Sequence, residues 1–194
     1  NLTITIHGAN DAPVLAVQAD PSSIAEALRE LDGSVAVAAV NGPATVVVAG
    51  PHPDLDAAES VLASHGLRTK RLNLDYAFHS PLVADCGPRL SRMLAGLEPA
   101  EPTTRMVSTV DPDIDVPCLD ATYWARNVTD PVRLWPAINR LLAEDHRALV
   151  EVGAHPVLAR PLTAGVAQAE RPGPVIHTLR RDERGVTALH RALA

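Results

Sequence analysis

Residues 14–19 carry the alternation of an extended chain, and Asp20-Pro21 then opens a stretch whose apolar residues recur at helical spacing to about residue 31. Asp32-Gly33 turns the chain into an apolar run over residues 35–40. A second β-branched run follows over residues 45–49, and Asn41-Gly42 between the two predicts a hairpin reversing at that pair. Pro53 and Asp54 start a second helix that extends to about His65, where Gly66 stops it, and residues 67–74 return as a strand. The order over residues 14–74 is therefore βαββαβ. That is the split βαβ, or ferredoxin-like, arrangement, in which two helices cover one face of a four-stranded sheet.

Beyond residue 74 the texture changes. The pattern predicts a helix over residues 81–97, a short strand over 106–110, and a Pro- and Asp-rich loop to 119. Helices follow over 122–128 and 131–144, then an apolar strand over 148–152, a helix over 156–169 and a last strand over 175–179. Strands alternating with helices indicate an α/β fold with a parallel sheet. Two or three strands are too few for a doubly wound domain. The expectation is that a preceding segment completes the sheet, and that without it an open edge and an apolar face are left uncovered. Residues 1–13 alternate polar and apolar and resemble the closing strand of extracellular adhesin-type β-sandwich repeats; they are read as an N-terminal extension, a fusion or start-site artefact.

Composition narrows the chemistry. Hydrophobic residues make up 46% of the 194 but aromatic ones only 3%, so the core must be built from Ala, Val and Leu. A net charge of -6 argues against nucleic acid as a partner, and the basic cluster around Arg180 and Arg181 is interrupted by acids, as a solvated surface would be. Cys86 and Cys118 lie far apart with no CxxC or Cys/His spacing, which indicates neither a disulfide framework nor a metal site. No run of eighteen apolar residues and no leader pattern occurs, so a membrane span and secretion are unsupported and the cytoplasm is the default expectation.

Four segments then stand in one order: VAVAAVNGPATVVVAG at 35–50, LDYAFHSPLV at 74–83, YWARNVTDPVRL at 123–134 and LVEVGAHPVL at 149–158. Together they resemble the acyltransferase domains of type I polyketide synthases, from about Val14 to the end of the chain. The resemblance implies a ferredoxin-like subdomain at 14–74, followed at 75–194 by the C-terminal part of an α/β-hydrolase-like large subdomain, with the active site between them. It also implies a two-step transfer. A serine takes a malonyl-type acyl group from a coenzyme A thioester and passes it to the phosphopantetheine thiol of an acyl carrier protein, with no bound cofactor. Malonyl-CoA and the acyl carrier protein are then the partners.

By the same resemblance His79 is the general base of both steps, a task suited to an imidazole that gains and loses a proton near neutral pH. Asn127 stands where the family orients that ring, usually through a backbone carbonyl; a helix C-terminal capping role before Asp130-Pro131 is the alternative. Tyr76 and Phe78 fall at substrate-contacting positions. The family tends to read His-Ala-Phe-His for malonyl and Tyr-Ala-Ser-His for methylmalonyl, and Tyr76-Ala77-Phe78-His79 is a hybrid of the two. His155, in the Gly153-to-Pro156 turn, is read as structural.

One departure matters most: no Gly-x-Ser-x-Gly occurs in the 194 residues, so the nucleophile elbow is not among them. The oxyanion-hole segment and the arginine that grips the extender carboxylate also lie upstream in the family. Two readings follow. The chain is an acyltransferase segment that is inactive without an N-terminal portion holding the serine, or it is a non-catalytic module that binds an acyl carrier protein or a synthase neighbour. A free-standing ferredoxin-like ligand binder would leave residues 75–194 without a role.

Overall fold

Alternation along β1 (Val14–Gln18) sends Leu15 and Val17 to one face of a sheet and Val14 to the other. The structure, a computed structural model, describes residues 14–31, 33–72, 77–169, 172–183 and 185. β1 runs antiparallel between β3 (Thr45–Ala49) and β4 (Arg68–Leu72), and β2 (Ala36–Gly42) pairs with β3 on the outside, giving the order β2-β3-β1-β4. Helices α1 (Pro21–Leu28) and α2 (His52–Ser64) supply Ile24, Leu55 and Leu62, which are fully buried with Leu15, Val46 and Val48. Each such side chain contributes about 1.5–3 kcal/mol by leaving water. The ferredoxin-like arrangement read from residues 14–74 is thus the one observed, its last two residues lying outside the described set together with residues 1–13.

The caps follow the expected chemistry. Asp20 accepts the N–H groups of Ser22 and Ser23, each at 3.0 Å, to start α1. The Ser22 hydroxyl above all, then the Ser23 hydroxyl and the amides, hold its carboxyl well below the usual carboxylate range. Gly66 ends α2 with a φ of +73°, the left-handed conformation glycine adopts without a steric penalty.

The hairpin differs in place. β2 continues through Gly42, which sits opposite Thr45, and the reversal falls at Pro43-Ala44. Register shifts between Val37 and Ala39 and between Val40 and Gly42 extend the strand past the Asn41-Gly42 pair, and Pro43 supplies the fixed φ that a turn's first central position favours. The outer edge of β2 is also engaged. Val40 donates its N–H to the Val132 carbonyl at 2.8 Å, and Val132 donates to the Ala38 carbonyl at 2.9 Å, a one-residue parallel bridge.

That bridge explains why the helix expected over 131–144 is shorter. Residues 131–133 precede it, Val132 being spent on β2, and α5 (Leu134–Ala143) begins after them. The helix expected over 81–97 is broken as well, into a 3-10 turn at Pro81–Val83 and α3 (Cys86–Met93). Pro88 has no N–H to offer the Ala84 carbonyl, so it is accommodated only in a first helical turn. No strand forms over 106–110. Its buried Ser108 hydroxyl lies 3.0 Å from the Tyr123 hydroxyl on α4 (Ala121–Thr129), and Arg133 donates from its main chain to Thr109 and from its side chain to Val110, at 2.9 and 2.7 Å. The run is held by side-chain contacts and this single main-chain bond instead of a ladder.

In the last third β5 (Leu149–Glu151) and β6 (Val175–His177) pair in parallel, with α6 (Ala159–Val166) between them in sequence. Leu142, Leu149, Leu162 and Val166 form their core, with Trp135 packed against it. Val150 on β5, Val152 just after it and Val157 before α6 are 54%, 82% and 71% exposed. Among the described residues no helix is long and apolar enough to cross a membrane.

Candidate functional site

The second face of the ferredoxin-like sheet is lined by small residues, Val14, Ala38 and Ala49, and the fully buried Ala77 packs on it. This contact seats the loop that follows β4. Ser80, 3% exposed, donates its hydroxyl to the Ala77 carbonyl at 2.6 Å and caps the 3-10 turn by accepting the Leu82 N–H at 3.3 Å. Between these two anchors Phe78 is 42% exposed and His79 half-buried.

His79 has a φ of +60°, a left-handed conformation uncommon for a residue with a Cβ. Such strain persists only where the surroundings enforce it. The end of α4 does so twice. The His79 main-chain N–H donates to the Val128 carbonyl at 3.2 Å, and its ring Nδ1 lies 2.9 Å from the Asp130 carbonyl. A carbonyl only accepts, so Nδ1 carries the proton, which leaves the Nε2 lone pair as the basic site.

These acceptors arise from helix chemistry. The last carbonyls of a helix have no intrahelical donor, and Pro131 brings no N–H to the turn that ends α4. Val128 and Asp130 supply two of the carbonyls, and His79 satisfies both. The orienting acceptor is therefore Asp130, not Asn127. Pro131 has no N–H to give the Asn127 carbonyl four residues back, yet it is the Asp130 carbonyl that meets the ring, Asp130 leaving the helix with φ -79° and ψ 152°. The helix also ends at Asp130, which takes the capping position from Asn127.

The remaining candidates separate. Tyr76 lies outside the described residues. His155 accepts the Arg181 N–H on its Nδ1 at 3.2 Å, a bond that pins one turn to the segment after β6. Glu151 holds the same region, one carboxylate oxygen accepting the N–H groups of Val157 and Leu158 at 2.8 and 3.0 Å. Cys86 and Cys118 are free thiols, the first half-buried and the second exposed. Val128 and Asp130 are the contributors that residue types did not disclose; the helix-ending Asp130-Pro131 pair was their one signal.

The family model for the acyl transferase domain matches residues 2–194. The chain belongs to that family. The match takes in residues 2–13, which the alternation pattern alone sets apart as an extension. Among the relatives, a polyketide synthase of Streptomyces halstedii, GfsE, is 38% identical over 164 residues, spanning 84% of this chain and 4% of that protein. The pikromycin synthase component PikAIII of Streptomyces venezuelae is 33% identical over 193 residues, 99% of this chain and 12% of its own. The acyltransferase domain from module 8 of the salinomycin polyketide synthase superposes with a TM-score of 0.89 at 33% identity, over 96% of this chain and 44% of that one. The chain thus spans under half of that solved chain and a small fraction of the synthases.

Proposed function

We propose that the chain is the histidine-bearing part of an acyltransferase that moves a malonyl-type extender unit from coenzyme A to the phosphopantetheine arm of an acyl carrier protein, in polyketide biosynthesis. The observation that carries this reading is His79: strained at φ +60°, bonded through Nδ1 to a main-chain carbonyl, and so free to act through Nε2. The serine comes from polypeptide outside these 194 residues.

In the first half-reaction the serine hydroxyl adds to the thioester carbonyl as Nε2 takes its proton; the C–S bond breaks and coenzyme A leaves as the thiol with that proton. The second half repeats the sequence with the carrier protein's thiol as the entering group, which gives its proton to Nε2, and the serine leaves with a proton returned by His79. The chain alone has no occupant of the serine elbow, and the members of such a unit act together. Incubated with malonyl-CoA, it is expected to show no stable mass increase, whereas the complete acyltransferase containing it is expected to gain one malonyl group on serine. A malonyl adduct on Cys86, Cys118 or a serine of the isolated chain would overturn the reading. Transfer-free binding of acyl carrier protein by the complete polypeptide would favour a non-catalytic module instead.

Phe78 sits one residue before the base and is 42% exposed, in reach of a substrate that approaches His79. A phenyl ring at this position takes up space that an α-methyl substituent requires, so malonyl is the preferred extender, with partial tolerance of methylmalonyl.

A further inference from the structure

We infer that Arg126 is a positioning residue for His79, acting through Asp130; this rests on the reading of His79 as the base. The Asp130 carbonyl can hold the ring only if residue 130 is itself held. Arg126 grips it from both sides of the peptide. Its main-chain carbonyl accepts the Asp130 N–H at 2.7 Å, and its Nε donates to the Asp130 carboxylate at 2.8 Å. The other carboxylate oxygen accepts the Thr129 hydroxyl at 3.1 Å. Arg126 also reaches the Asp111 carboxylate with Nη1, at 3.5 Å, so the loop before α4 is tied to the same guanidinium.

On the far side, Pro131 restricts Asp130 to extended backbone, and the Val132 bridge fixes the next residue to β2. The pair is too exposed for its main effect to be on stability: Arg126 is 40% and Asp130 31% accessible, and ion pairs in such settings contribute little to folding. What the pair controls is direction. With the carboxylate released, residue 130 is held by its main-chain contacts alone, and the carbonyl that accepts the Nδ1 proton is less sharply aimed.

Two readouts test this. In the 194-residue chain carrying 15N-labelled histidine, long-range 1H–15N spectra report which ring nitrogen of His79 is protonated. The Nδ1–H form is expected to dominate, and Arg126→Ala and Asp130→Ala are each expected to raise the Nε2–H form, while Arg126→Lys restores much of the original balance. In the complete acyltransferase containing this segment, Arg126→Ala is expected to lower kcat on the order of 10-fold, as misplacing a catalytic group does, with KM for malonyl-CoA unchanged. The double variant should be no worse than the worse single one, because both act through one contact. If Arg126→Ala melts well below wild type, Asp130→Ala carries both readouts. Wild-type tautomer balance and wild-type kcat in the folded variants would overturn the positioning role. His79→Ala serves as the control: if it retains full activity the base reading fails, whereas if it is crippled and Arg126→Ala is not, only the positioning role fails.

Discussion

A backbone conformation such as that of His79 costs about 1–3 kcal/mol, and here it coincides with two hydrogen bonds to the end of α4. The strain therefore aims the imidazole. Its neighbour Phe78 sets the proposed selectivity, and Phe78→Ser is expected to move the ratio of malonyl to methylmalonyl use toward methylmalonyl. One methyl group in an apolar pocket is worth about 1–3 kcal/mol, or roughly 10- to 200-fold, which bounds the change that competition between the two thioesters should reveal. An unchanged ratio would remove Phe78 from that role. At this scale His79 could be singled out as a candidate because its motif is written in side chains. The Asp130 acceptor was not, since any residue type can present a carbonyl, and only the Asp130-Pro131 step hinted at where the helix would release one.

Elements are fixed by close approaches that single residues permit. A Cβ at Gly165 on α6 would lie 2.3 Å from one Trp135 ring carbon and 2.6 Å from another. Gly165→Ala gains about 1 kcal/mol of helix propensity, but overpacking of a core typically costs about 1–3 kcal/mol and this contact is far inside normal range. The variant is expected to lower the denaturant midpoint; an unchanged or higher midpoint would show that α6 and α5 can separate freely.

The loop before α4 is held to α5 by charge. Arg105 and Arg140 donate to Glu144 at 2.6 and 3.0 Å, and Arg140 also pairs with Asp115. The Arg105 hydrogen bond, with that of Arg140, lowers the Glu144 carboxyl from 4.5 to about 2. A depressed carboxylate stabilises the fold fully above its unfolded value and loses that contribution as pH falls, here between 4.5 and about 2. Glu144→Gln should flatten the acid limb of stability against pH in that window, as followed by thermal melts. The same loop shows why residues 106–110 misled the pattern: burial of a β-branched run reads alike whether a ladder or side-chain donors satisfy it. The Asn41-Gly42 turn signal was overridden in a related way, by a register that only strand pairing could set.

For the molecule as a whole, the βαββαβ unit was legible because alternation, caps and turns agree along one continuous stretch. The second half was legible only in outline, since β5 and β6 make a two-stranded sheet whose neighbours are not in these residues as described. The exposed valines on and beside it, and the coverage of 44% of one solved chain, are what the proposed reading of a segment covered by further polypeptide requires. The decisive measurement is made on that larger unit. In the complete acyltransferase, single-turnover rates of serine acylation by malonyl-CoA and of transfer to acyl carrier protein should both fall on the order of 10² to 10⁴-fold in His79→Ala. Wild-type rates for either half-reaction in that variant would contradict His79 as the shared base.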